Sequence, residues 1–335
     1  MDKLFVCTSP FHVLITVAKS LINNEKCDIV LCRSIDNCNE LINRLKASEL
    51  FKTVEIFNSK NKSEYNAITK ICKDNHYYGA RCIVKQLEKR YDFTLFKNHE
   101  IYLFDDDNIP GYYLQLSKIH YNLIESSIDC YKKLHSVYSR PNSFIDRIKR
   151  FFGIGLYPHG YSKYVKTIEV NNKHIISDLN NKMIEMPKKK LYKSLNESQV
   201  QRLIKVFLPS PELYTNVNYE STLIVTQPLY QDGFVKSKEE HLAIYRDYID
   251  NYSTGLVIIK SHPRDNIDYE AVFKDCIVWK ENYIPLEIFN FIPTFKIRRA
   301  ITAFSTSLNS MNYCDEKLYF GLESLKDYSK GLILK

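Results

Sequence analysis

Lys260, His262 and Arg264 put two cations and a titratable imidazole within five residues, around Pro263. Such a set suits an anionic ligand, because cations neutralise it and an imidazole can hydrogen-bond or protonate it. The plainer alternative is a polar loop after a core strand, which would be preferred for an isolated His-Pro pair. Placement favours chemistry here. The preceding run, Leu256 to Ile259, is short and continuously apolar, as in a strand buried on both faces of a parallel sheet. Open α/β sheets bind ligands just beyond the carboxyl ends of their strands.

Three further segments follow expected strands in the same half. In Thr226-Gln227-Pro228-Leu229-Tyr230-Gln231-Asp232-Gly233, Asp232 is either a general base reaching into a cleft or part of a Gln-Asp-Gly turn. Glu287, at an expected helix start, would grip a ribose diol or simply complement the helix dipole. Ser305, Thr306 and Ser307 precede an expected helix, where hydroxyls both cap the helix and cradle an anion. Together these supply a base, an imidazole, a diol grip and an anion cradle in an order suited to a nucleotide.

The first half offers two more sites. Thr8-Ser9-Pro10 is helix-start chemistry and equally an anion site. Asp105-Asp106-Asp107-Asn108, ahead of Pro110 and Gly111, is either an acceptor-binding or general-base group, or a solvated turn. A divalent ion on these carboxylates ranks below both.

The elements that must position these residues alternate. Strands are expected at Leu4–Cys7, Cys27–Cys32, Thr53–Phe57, Glu100–Phe104 and Tyr164–Val170. Five more are expected at Thr222–Thr226, Leu256–Ile259, Cys276–Trp279, Ala300–Phe304 and Leu318–Phe320. Helices fit between them, including Phe11–Ile22, Ser63–Tyr91, Glu197–Leu208, Ser237–Tyr252, Asp268–Phe273, Pro285–Phe291 and Ser307–Tyr313. Alternation of this kind means βαβ units and parallel sheets. The polar stretch from Asn171 to Tyr219 is the expected crossing between residues 1–215 and residues 216–335. There is no GxGxxG and no GxxxxGK[ST] motif, which disfavours a dinucleotide dehydrogenase or a P-loop enzyme.

The 335 residues suffice for two domains, and a net charge of +8 favours an anionic substrate or membrane surface. No nucleic-acid-binding signature is present. Nine scattered cysteines without a CxxC pair fit reduced thiols in a cytoplasmic protein. No signal peptide and no membrane-length apolar run is expected. Pro141–Gly155 carries Phe144, Ile145, Ile148, Phe151 and Phe152 at helical spacing with Arg147, Lys149 and Arg150. That helix packs on a core or lies on an anionic membrane.

With these residues in view, the chain resembles bacterial sialyltransferases of glycosyltransferase family 52, the lipooligosaccharide and capsule type. The features that carry the resemblance are Thr226-Gln227-Pro228-Leu229, Gln231-Asp232-Gly233, His262-Pro263 and Ser305-Thr306-Ser307. Gln231 departs from the family by replacing an acid. The resemblance implies a GT-B-like α/β architecture, with two Rossmann-like domains of parallel sheets facing across a cleft. It implies metal-independent, inverting transfer of sialic acid from CMP-sialic acid to a terminal galactose, with no cofactor. Asp232 would be the base, with Asp105 or Asp106 in reserve, and His262 would serve the leaving phosphate. Thr226, Gln227, Gly233, Lys260, Pro263, Arg264, Glu287, Ser305, Thr306 and Ser307 would face the donor, and Thr8, Pro10, Asp105 and Asp106 the acceptor. A homodimer and a peripheral contact with the inner membrane are associations it admits. The alternatives are another nucleotide-sugar donor, such as a UDP-sugar, or a non-catalytic glycan- or nucleotide-binding protein.

Overall fold

A computed structural model describes residues 1–32, 38–57, 70–71, 80–126, 144, 148, 155–173, 179–208, 210–215, 217–323 and 325. Most of the expected basic helix at Pro141–Gly155 and most of residues 63–79 lie outside the described residues. The chain forms two compact units, Met1–Leu203 and Ile204–Lys335.

The first unit holds one sheet of seven parallel strands in the order β3-β2-β1-β4-β5-β6-β7. They are β1 (Lys3–Cys7), β2 (Cys27–Cys32), β3 (Phe51–Phe57), β4 (Glu100–Leu103), β5 (Tyr121–Ile124), β6 (Val165–Val170) and β7 (Met183–Glu185). Helix α1 (Pro10–Asn23) links β1 to β2, α2 (Cys38–Ala47) links β2 to β3, and α3 (Ala80–Arg90) and α4 (Ile109–Leu116) flank β4. β2 is buried along its whole length, which explains its largely apolar character. An aromatic cluster of Phe57, Tyr91, Phe93, Phe96 and Tyr113 packs in this core, with Phe93 stacked on Tyr113 at 3.6 Å.

β5 and β7 do not stand out in the sequence. β5 reads Tyr-Asn-Leu-Ile, and the Asn interrupts an apolar run of only four. Tertiary partners satisfy that Asn: Thr167 donates to the Asn122 side-chain oxygen at 2.8 Å, and Asn122 Nδ2 donates to the Ile101 carbonyl at 3.4 Å. A buried amide is tolerated once hydrogen-bonded.

The second unit holds five parallel strands in the order β10-β9-β8-β11-β12. They are β8 (Thr222–Val225), β9 (Val257–Lys260), β10 (Ile277–Trp279), β11 (Ile297–Thr302) and β12 (Cys314–Tyr319). Helix α5 (Glu197–Phe207) spans the boundary between the units, and α6 (Lys238–Tyr252) connects β8 to β9. Ser237 caps α6, its hydroxyl accepting from the Glu240 N–H. Two expected helices are 3₁₀ turns instead, Leu286–Phe291 and Thr306–Ser310. In the latter, Ser310 donates its hydroxyl back to the Ser307 carbonyl, the local competition that makes Ser and Asn poor helix interiors.

Many of the tyrosines are core residues: Tyr112, Tyr113, Tyr121, Tyr245, Tyr248 and Tyr269 are all fully buried. Described thiols are free, and burial pushes Cys27 and Cys314 up to about 11 and Cys32 up to about 12. No helix among the described residues is long and apolar enough to cross a membrane.

Candidate functional site

In both sheets the chain begins near the middle, builds outward on one side, then returns to the other side of its first strand. The direction therefore reverses between β1 and β4, and again between β8 and β11. Adjacent connections leave such a point in opposite directions, which opens a crevice at the carboxyl ends of the two strands.

In the second unit, the loops beyond β8, β9 and β11 bring together most of the expected donor-side residues. His262 lies two residues beyond β9 and Ser305 three beyond β11, with β8 between these strands. Strand spacing sets the two strand ends about 10 Å apart, a distance a nucleotide can span. Both residues are half-buried, so neither is sealed in a dry core.

His262 has a defined tautomer. The Arg264 backbone N–H donates to its Nδ1 at 3.1 Å, so the neutral ring carries its proton on Nε2. Burial, reinforced by the Arg264 cation, pulls its pKa down to about 4. At neutral pH the imidazole is therefore a neutral hydrogen-bond donor, which favours hydrogen bonding over protonation of the two roles the sequence left open.

Lys260 ends β9, is buried, and donates to the Glu281 carbonyl at 2.8 Å. Burial lowers its pKa to about 8. Arg264 is exposed and grips Asp232 with both guanidinium arms, at 2.6 and 2.9 Å. Asp232 is thus ion-paired through both oxygens, in a bidentate geometry. Gly233 follows at φ +75°, the left-handed region that glycine enters without steric cost.

Thr226 is fully buried, so its side chain does not face a ligand as expected of a donor-binding residue. Its hydroxyl donates to Asp265 at 3.1 Å and accepts the His262 N–H at 3.0 Å. Gln227 is clasped by Tyr245, whose hydroxyl accepts from its N–H at 2.6 Å and donates to its carbonyl at 3.2 Å. Glu287 is also buried; its Oε1 lies 2.8 Å from the Ser310 hydroxyl oxygen, and desolvation raises its pKa. A diol grip needs an accessible carboxylate, and this one is turned into the fold.

Ser305 caps the turn at Thr306–Ser310, and its hydroxyl lies 2.7 Å from that of Ser307. The five-residue 3₁₀ turn has no long helix behind it, so the expected contribution of a helix dipole is lost. The hydroxyl pair remains. The sequence reading missed Asp265, Tyr269 and His241. Asp265 directly follows Arg264 in the sequence, but only the fold reveals its burial.

In the first unit, the β1/β4 crevice gathers Thr8, Pro10, Asp105 and Asp106. Ser9 caps α1 and Pro10 opens it. The Thr8 N–H and hydroxyl both engage His12 Nδ1, at 3.1 and 3.0 Å. That imidazole is buried, stacks on Phe104 at 4.2 Å, and is held neutral by burial, with its pKa lowered to about 3. His12 gave no signal in the sequence because it sits on an otherwise apolar helix face.

Asp106 is buried and accepts the Tyr121 hydroxyl at 2.8 Å, together with the backbone N–H groups of His159 and Gly160, so like Glu287 it is turned into the fold rather than toward an acceptor as expected. Desolvation, then the neighbouring Asp105, raises its pKa to about 7. Asp105 is half-buried, and its pKa is raised chiefly by desolvation. Asp105, Asp106 and His159 place one donor atom each within 4.8 Å of one another. Asp106 already faces hydrogen-bond donors, an environment arranged for an anion or a shared proton rather than for a cation.

Gly111 fixes this corner. A Cβ there would meet the Asp106 carbonyl oxygen at 2.3 Å. Gly111→Ala is expected to destabilise the protein by about 1–3 kcal/mol through overpacking. Urea unfolding measures this, and an unchanged midpoint would refute the close approach.

Comparison with known proteins agrees with this architecture. The model of glycosyltransferase family 52 matches residues 66–322. An uncharacterized protein of Haemophilus influenzae is 26% identical over 245 residues, covering 71% of this chain and 75% of its own. Among solved structures, UDP-GlcNAc 2-epimerase from Neisseria meningitidis, bound to UDP-GlcNAc, aligns with a TM-score of 0.52 at 14% identity. That alignment covers 92% of this chain and 79% of the epimerase. The spinosyn forosaminyltransferase SpnP aligns with a TM-score of 0.50 at 12% identity, covering 99% of this chain and 89% of its own. At these identities the likeness shows the fold, which is GT-B.

Proposed function

The chain belongs to glycosyltransferase family 52, and from that premise we propose that it transfers sialic acid from CMP-sialic acid to a terminal galactose of a surface glycan, without a metal. The family implies a nucleotide-sugar donor and a glycan acceptor. The observation that carries the finer reading is the His262 ring. Its Nδ1 is engaged by a backbone N–H, which leaves a protonated Nε2 at the carboxyl edge of the sheet to meet a leaving phosphate.

The donor lies over the β8/β11 crevice. Asp232 accepts the proton of a galactose hydroxyl as that oxygen attacks the anomeric carbon. The bond from that carbon to the CMP oxygen breaks, and its electron pair stays with the phosphate. His262 Nε2–H stabilises the developing charge, with the Ser305–Ser307 hydroxyl pair beside it. Asp232 must first exchange its Arg264 partner for the acceptor hydroxyl. That exchange is small in energy, because a pair with a half-exposed arginine is worth on the order of 1 kcal/mol or less. The freed Arg264 guanidinium then suits the sialyl carboxylate.

The test is direct. Purified protein, CMP-sialic acid and a panel of galactosides, with EDTA present, should yield a sialylated product. CMP should raise the melting temperature and UDP should not. Stabilisation by UDP alone would replace the sialyl donor with a UDP-sugar. Absence of any transfer from either donor class would favour a binding protein.

A further inference from the structure

Behind the His262 loop runs a buried hydrogen-bond chain that the transfer chemistry does not itself use. The Tyr230 N–H donates to His241 Nδ1 at 3.4 Å, so the neutral His241 ring carries its proton on Nε2, 2.6 Å from the Tyr269 hydroxyl. That hydroxyl donates to Asp265 Oδ2 at 2.5 Å, and the Thr226 hydroxyl donates to the same oxygen at 3.1 Å. The other oxygen, Oδ1, accepts the Ile267 N–H at 3.3 Å and the Gln231 side-chain amide at 3.4 Å. Asp265, Thr226, Tyr269 and His241 are all buried.

This chain ends on the loop. With its proton committed to Asp265, the Thr226 oxygen presents lone pairs to the His262 N–H, 3.0 Å away. The Asp265 N–H closes the turn on the His262 carbonyl at 2.8 Å. The backbone at His262 is therefore gripped through both its N–H and its C=O by the Asp265–Thr226 pair. That grip sets where the Arg264 N–H meets Nδ1, and hence which ring nitrogen holds the proton.

We propose that Asp265 is the positioning residue of this site: acting through the Thr226 hydroxyl, it fixes the His262 loop so that Nδ1 is capped by backbone and Nε2–H is left to face the ligand. A carboxylate suits the place because it accepts from four donors at once, which neither an amide nor a hydroxyl can do. The inference rests on the reading of His262 as the group that meets the leaving phosphate, but its test needs no substrate.

The measurement is the tautomer and titration of His262, by long-range proton–nitrogen NMR on the full-length ¹⁵N-labelled protein. The charged and titratable groups around the ring are Arg264, Asp232, Asp265 and Lys260, and none is altered in Thr226→Val or Thr226→Ser. Wild type and Thr226→Ser should show a single Nε2–H tautomer with a titration midpoint of about 4. Thr226→Val keeps the side-chain volume but removes the hydroxyl, and should show mixed tautomers. Its midpoint should rise by about 1–2 on the pH scale as the loosened ring hydrates. Asp265→Asn should do the same; if it does not fold, Thr226→Val decides the matter. Wild-type tautomer and midpoint in folded Thr226→Val would overturn the proposal. In turnover, Thr226→Val should lose about 10-fold or more in kcat with donor KM within about twofold, and Thr226→Ser should recover it. A wild type that transfers no sugar but shows these NMR changes would refute the proposed function and leave this inference standing.

Discussion

His262→Ala is expected to lower kcat by about 10²–10⁴-fold with little change in stability, the range for losing one positioned proton-handling group. The side chain is half-buried, and its ring accepts one backbone N–H, so its removal leaves no deeply buried partner stranded. The direction of charge matters more than the size of the loss. With its pKa pulled down to about 4 by burial and by Arg264, the imidazole is neutral across the physiological range. His262 therefore contributes no activity limb near the ordinary histidine value. It acts by donating a hydrogen bond, so His262→Gln, which keeps an N–H donor, should retain more activity than His262→Ala. Lys260 behind His262 is buried, and desolvation lowers its pKa to about 8, so its cation is present below that pH and lost above it. Initial rates from mildly acid to mildly alkaline pH for wild type and both His262 variants check all of this. Activity of His262→Ala within about fivefold of wild type, well short of the expected loss, would remove the residue from the mechanism.

The second large effect concerns Asp106. Its folded-state pKa of about 7 lies above its ordinary value of 3.8, so between the two the folded protein binds a proton that the unfolded chain has released. Stability from this group is full at acid pH, falls as pH rises through the interval, and levels off above the folded-state value. An elevation of about three on the pH scale corresponds to on the order of 4 kcal/mol. Asp106→Asn removes the ionisation while keeping an oxygen for the His159 N–H and an amide beside Tyr121. The variant should match or trail wild type at about pH 5 and exceed it at about pH 8, on either side of the folded-state value. Urea unfolding at the two pH values measures the crossover. Parallel curves for wild type and variant would show that Asp106 is not desolvated.

The alternation of short apolar runs with amphipathic stretches was legible from the residues alone, because strands buried on both faces must be apolar along most of their length. The same logic located the ends of β4, β8, β9 and β11, and with them the Asp105–Asp106, Thr226, His262 and Ser305 segments. Polar residues inside the core defeated it. β5 carries Asn122, and its place in the sheet depends on Thr167 and the Ile101 carbonyl, partners remote in sequence. The turn after Ser305 reads as a helix by spacing, yet Ser310 bonds back onto it and shortens it.

Residue types and their order along the chain determined two parallel α/β sheets with an imidazole and cations at a strand end, and the motifs among them carry the resemblance to glycosyltransferase family 52 that the family match bears out. Only the folded chain decided which of those groups are charged, accessible or committed elsewhere. Thr226 and Glu287 turned inward, Asp232 acquired an arginine partner, and Asp265 became the acceptor behind the imidazole. A side chain's chemistry is written in its residue type, but its protonation and its hydrogen-bond partners depend on how much water the fold removes and on what it brings in place of that water.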